Sequence, residues 1–309
     1  MITKLILFFA SIAAFAFEVP STDARKAEID KLLLSKDFAK AAIQAKELNR
    51  KIPDDVSIYQ LLAAAELGVG DYEKAEQTIQ WMLDLRIGKA DASGWLLIAQ
   101  LREATGDIEG ALDAVNLAYG RIVPGQRPDA QLLFLYSAKL QIAVGKLDNA
   151  EKILDGIANR SGEERLAILA ELRMGQGRRE EAVEILRGLA VSGAHPRYFY
   201  QLAMATANPK DYAAFASSAV LRKSIVDNAN RELVLYYCGP GNLPDQALKL
   251  AQAEASQRHD ILSLDALAMA LQVSGSTGEA ALTMRKILAV GTRNPEILRH
   301  AAMLGIVSK

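Results

Sequence analysis

A six-residue stretch, Gly70-Asp71-Tyr72-Glu73-Lys74-Ala75, returns down the chain in altered form. Gly106-Asp107-Ile108-Glu109-Gly110-Ala111, Gly145-Lys146-Leu147-Asp148-Asn149-Ala150, Gly177-Arg178-Arg179-Glu180-Glu181-Ala182 and Gly275-Ser276-Thr277-Gly278-Glu279-Ala280 are further copies. The closing alanine of each marks a register that also takes in Ala41 and Ala247. Successive markers are 34, 36, 39, 32, 65 and 33 residues apart. The gap of 65 is close to two periods, and Lys210-Asp211-Tyr212-Ala213-Ala214-Phe215 fills it with Phe at the marker position. A period near 34 is the mark of a helical solenoid, in which no unit buries its apolar face alone and neighbours must stack.

Positions counted back from each marker show how a unit is built. Twelve residues earlier stand Ala63, Ala99, Ala138, Ala170, Ala203 and Ala268, with Ile29 and Leu235 in the remaining units. Sixteen earlier stand Tyr59, Trp95, Phe134, Leu166, Phe199 and Leu264, and thirteen earlier Leu62, Ile98, Leu169, Leu202, Val234 and Leu267. Large, large and small residues at i, i+3 and i+4 make one helical face. The Gly-Asp pair then ends that helix and opens the next, because Gly tolerates the left-handed conformation and Asp can cap a helix N-terminus. The small residues let two antiparallel helices approach, and the large ones fill the space against the next unit. The plain alternative is an alanine-rich helical bundle.

This pattern resembles the tetratricopeptide repeat (TPR) family, over residues 25 to 305. The resemblance implies an all-α, right-handed superhelical solenoid of about eight helix-turn-helix repeats with a C-terminal capping helix. The expected units lie near 25–52, 56–88, 92–124, 131–160, 163–193, 196–226, 228–258 and 261–292, with the cap at 294–307. The copies around 210 and 242 depart from the family pattern. Lys210 and Asn242 stand where the turn Gly belongs, Phe215 replaces Ala, and Arg231 occupies the aromatic position, so irregular stacking is expected there. The segment 120–128 lengthens one period to 39 and reads as a loop insertion. Asn294-Pro295 reads as the N-cap and first turn of the last helix, with Ile297, Leu298, Ala301 and Leu304 on one face.

Residues 1–16 read as a secretory signal peptide, with Lys4 ahead of an apolar stretch from Leu5 to Ala16. That stretch falls short of the ~20 residues needed to span a bilayer. Ala14-Phe15-Ala16 matches a small-x-small cleavage pattern, and residues 17–24 read as a short linker. Retention as an uncleaved anchor, or a buried first helix, is the alternative. Export to the periplasm or the extracellular space is the expected destination, with no stable transmembrane segment after cleavage. The formal net charge is −1 and no basic block occurs, so nucleic acid is not an expected partner. The one cysteine, Cys238, cannot form an internal disulfide and reads as a small buried apolar residue.

No constellation argues for catalysis. His195, His259 and His300 lie in different units without metal-ligand spacing, and His195 and His259 are expected to face solvent. Gly120 to Gly125 lacks the lysine of a phosphate-binding loop, and Gly239-Pro240-Gly241-Asn242 reads as a turn. Glu163-Glu164 and Glu180-Glu181 sit at helix starts, where the helix dipole favours them. No enzyme activity, cofactor or metal is expected.

The resemblance also implies that the first helix of each unit lines a concave groove, with the residues one and five after the aromatic position facing it. Those chosen as partner-binding are Gln60, Leu96, Gln100, Leu135, Lys139, Glu171, Tyr200, Met204, Tyr236, Asp265 and Met269. Tyr gives rigid contact area and Met adapts in shape, which suits an amphipathic helix or an extended peptide. The expected function is a non-catalytic protein–protein interaction scaffold in the cell envelope. A structural component that self-associates is the alternative, and a cell-wall carbohydrate-binding module is a further one. The register itself is testable. Ala75→Arg or Ala111→Arg should lower stability by several kcal/mol through overpacking and charge burial. Glu73→Ala should melt like the parent in urea titrations.

Overall fold

The computed structural model describes residues 21–85, 92–125, 129–191, 195–222 and 230–306. These hold seventeen helices and no strand. They run in antiparallel pairs: α1 (Thr22–Leu34) with α2 (Phe38–Lys51), α3 (Val56–Val69) with α4 (Tyr72–Asp84), α5 (Ala92–Ala104) with α6 (Ile108–Tyr119), and α7 (Ala130–Ala143) with α8 (Leu147–Gly156). Then come α9 (Glu163–Gly175) with α10 (Arg179–Val191), α11 (Pro196–Thr206) with α12 (Pro209–Arg222), α13 (Asn230–Cys238) with α14 (Pro244–Ala255), and α15 (Ile261–Val273) with α16 (Thr277–Ala289). The last helix, α17 (Pro295–Met303), packs on α15 and is capped by Asn294, as its sequence requires. The expected signal peptide and residues 17–20 of the expected linker lie outside the described residues. Helix α1 already begins at Thr22, with Ser21 accepting a hydrogen bond from the Ala24 amide.

The alanine register describes the packing. Ala41, Ala75, Ala111, Ala150, Ala182, Ala247 and Ala280 are completely buried, and Phe215 at the degenerate position is too. The partner alanines Ala63, Ala99, Ala138, Ala170, Ala203 and Ala268 are equally closed off. Around these contacts lie apolar clusters, most of which bridge neighbouring units. Ile287, Ile297 and Ala301 bury the far end of the array against the capping helix.

The turns follow the expected chemistry with two corrections. Gly70, Gly106, Gly145, Gly177 and Gly275 all take positive φ, and Asn242 takes a left-handed φ of 46°. Lys210 does not. The left-handed residue there is Ala207, φ 53°, because Asn208-Pro209 opens α12 three residues before the repeat register predicts. Asp107 caps α6 through the Gly110 amide at 2.9 Å. Asp71 makes no such cap on α4; its carboxylate is taken by Lys74 Nζ at 2.6 Å and by His259 Nε2 at 2.8 Å.

That last contact joins residues 188 positions apart and reveals the overall course of the array. The superhelix winds until the start of the eighth unit meets the turn of the second. The His259 amide donates to the Val69 carbonyl at 2.7 Å, and the Ile261 amide donates to the Tyr72 hydroxyl at 3.1 Å. A Cβ on Gly70 would fall 2.3 Å from the Asp260 nitrogen, and one on Gly106 would fall 2.3 Å from the Gly291 carbonyl oxygen. Gly145 has the same left-handed conformation but open space around it. Gly145→Ala should therefore cost only the left-handed strain, about 1–2 kcal/mol. Gly106→Ala should cost clearly more in matched urea titrations, since its methyl group displaces the eighth unit. Equal losses would mean the two ends do not meet.

Candidate functional site

The concave side is crossed by polar contacts that step one repeat at a time. The Tyr136 hydroxyl donates to Glu103 at 2.6 Å, and Lys139 Nζ lies 3.2 Å from the other Glu103 oxygen. Gln201 donates to Glu171 at 3.0 Å, and Arg197 pairs with Glu164. Each of these partners is 30 to 36 residues away, the length of one unit. Glu171 is open to water at its surface, yet its carboxyl is raised, first by the protein around it and against the pull of Lys139.

The far end of this interior holds a denser network. Arg231, in the place of an aromatic residue, donates to Asp265 at 3.0 Å and to Glu296 at 2.7 Å. Asp265 is fully buried and also lies 2.9 Å from His300 Nδ1. Burial works against the Arg231 charge, but Glu296, Glu232 and Asp265 outweigh it and hold the guanidinium charged. The network ties α13, α15 and α17 together, which explains how the stack tolerates Arg at a packing position.

The residues expected to line the groove fall into three groups. Gln100 and Lys139 are exposed on the inner face, and Met204 is half exposed with the Tyr212 hydroxyl 3.4 Å from its sulfur. Gln60, Leu96 and Glu171 keep partial or open exposure. Leu135, Met269 and Asp265 are buried, Leu135 in an apolar cluster and Asp265 in the ion network. Tyr200 and Tyr236 turn into a cluster with Phe215 and Tyr212. Ring centroids are 5.1 Å apart for Tyr200–Phe215 and 5.9 Å for Tyr212–Tyr236. Both tyrosines are part-buried against the bulky residues of the degenerate unit. Cys238 is half-buried, and burial pushes its thiol up to about 12, which leaves it inert.

Sequence periodicity did not point to an apolar-lined recess whose two walls come from opposite ends of the chain. It has a volume of about 570 Å³. One wall is formed by the ends of α3, α5 and α7, with Leu67, Gln100, Glu103 and Lys139, and by Phe38. The other is formed by Arg258 to Leu262, except His259, and by Thr292 to Pro295. Tyr72 lies at the joint, and burial pushes its phenol up to about 12. Burial also pulls the Asp71 carboxyl up, but hydrogen bonds and charge from Lys74 and His259 outweigh it and hold it below the usual carboxylate range. Arg293 has no carboxylate partner among the described residues, so its charge is open to whatever enters. Volume and lining suit part of a peptide or a small molecule. No group of three or more metal-ligating side chains occurs among the described residues. No described helix is long and apolar enough to cross a membrane.

Among solved structures, the chain is similar to the crystal structure of the APC/C hetero-tetramer Cut9–Hcn1, with a TM-score of 0.52 and 16% identity. The match covers 92% of this chain and 56% of that one, so the chain spans just over half the neighbour's length. It is also similar to a tetratricopeptide repeat protein from Parabacteroides merdae, with a TM-score of 0.45, 16% identity and coverage of 92% and 98%. No family model and no curated protein matches the chain.

If Tyr236 is core rather than docking surface, Tyr236→Ala should cost on the order of 2–4 kcal/mol in urea titrations. Gln100→Ala should leave the midpoint unchanged. A Tyr236→Ala chain that melts like the parent would return that side chain to the groove surface.

Proposed function

We propose that this chain, a solenoid of the tetratricopeptide-repeat fold, is a non-catalytic interaction scaffold that takes a segment of a partner protein on its concave side. The observation that carries the reading is the recess of about 570 Å³ in which Gln100 and Lys139 face Arg293 and Asn294 across an apolar floor. Apolar side chains there give affinity, and a few convergent polar groups fix orientation, as binding recesses require. The partner is a peptide or helix of a protein and not a nucleic acid, in keeping with a net charge of −1. The N-terminal sequence supports an exported protein working in the cell envelope. A second reading, self-association, is favoured by Leu117, Tyr119, Val123 and Leu132, all exposed around the connection from α6 to α7.

The test is in vivo crosslinking and capture from the envelope fraction, comparing the parent with Gln100→Ala/Lys139→Ala. A partner captured by the parent and reduced tenfold or more in the variant is the expected result. A partner retained equally by both would move the site away from the recess. No partner, together with concentration-dependent mass in ultracentrifugation, would establish self-association instead.

A further inference from the structure

The two walls of the recess are joined by little. No helix of the second or third unit packs side by side along α15, α16 or α17, whereas consecutive units meet helix against helix. Among the described residues the joint consists of turns and one ring: Val69 and Asp71 on His259, the Ile261 amide donating to the Tyr72 hydroxyl, the Tyr72 ring against the apolar cluster of the eighth unit, and the backbone approaches at Gly70 and Gly106. Hydrogen bonds at so open a joint contribute little net stability. Separating it needs only a small change in rotation at each unit between the third and the seventh, since superhelix curvature is the sum of such rotations.

We propose that these contacts form a clasp that opens and shuts the superhelical turn, and that shutting it builds the recess, so that partner binding and closure are coupled. The inference rests on the recess being the partner site. Arg258, Asp260, Leu262 and Arg293 reach the first wall only when the clasp is shut. A partner touching both walls therefore binds the shut form better and shifts the equilibrium towards it. Reciprocally, weakening the clasp weakens binding without altering a residue that touches the partner.

The clasp is read first without any partner. Spin labels at Gln77→Cys and Gln252→Cys, with Cys238→Ser, report the distance across the joint by pulsed electron resonance. The parent should give one narrow distance. A chain carrying Asp71→Ala and His259→Ala, neither of which lines the recess, should add a longer population while its circular dichroism stays unchanged. An unchanged distance in that variant would overturn the clasp. The same variant is then taken through crosslinking capture, where the partner should fall at least tenfold although Gln100 and Lys139 are intact. Full capture by a chain whose distance has lengthened would overturn the coupling and leave the scaffold reading standing. Failure of the parent to capture anything would overturn the scaffold reading and the coupling together, with the clasp judged by the distance alone.

Discussion

Two antiparallel helices approach closely only where neither carries more than a methyl group at the crossing, and this chain repeats that condition down its length. The buried pairs Ala63 with Ala75, Ala99 with Ala111, and Ala138 with Ala150 are successive instances. Each sets the spacing within one unit. The large residues four positions and one position before the first alanine of each pair then set how the next unit leans on it. The lean accumulates, and after six further units the array has come round to itself. The concave interior, its one-repeat polar contacts and the recess at the joint all follow from that accumulated rotation.

The interior is built differently at its two ends. Early units pack mostly with aliphatic and aromatic residues and leave Gln100 and Lys139 exposed at the inner surface, Lys139 beside Glu103. Later units replace this with the Arg231–Asp265–His300–Glu296 network and the cluster of Tyr200, Tyr212, Phe215 and Tyr236. Removing one member of such a buried ion network leaves charges uncompensated, so the far end is held in one arrangement. The near end, where the recess opens, carries no such constraint on its inner face. One side of the site is thus rigidly placed, and the other offers side chains still able to adapt.

What could be read from the sequence was what one unit determines by itself. The marker alanines, the left-handed glycines and the Asn294 cap depend on neighbours within a few turns, and each stands where the pattern puts it. The misplaced features depend on other units. Tyr200 and Tyr236 occupy groove positions by count, but Phe215 in the adjacent helix offers them a better-packed site. Asp265 looks like a surface acid until Arg231, one repeat earlier, and His300, two helices later, are placed beside it. His259 does face water as expected, and the count left out only that its ring also reaches Asp71 of the second unit. The recess is the extreme case, since no local count brings Lys139 and Arg293 together. A signal did exist at Arg231, a charge at a packing position, which calls for partners of opposite charge.

A stack in which every unit touches only its neighbours loses order from its ends inwards, because a terminal unit has one interface and an internal unit two. The contact between Asp71 and His259 changes that connectivity. The eighth unit gains a second neighbour, and the line of units becomes a circuit. Closing a loop of this length costs only a few kcal/mol more than closing a short one, since the entropy grows with the logarithm of its length. Once made, the contact lets no unit between the second and the eighth unravel without slackening it for all the others. In its shut form the fold therefore gains, from a handful of residues at two turns, a connection between distant units that a linear repeat array lacks.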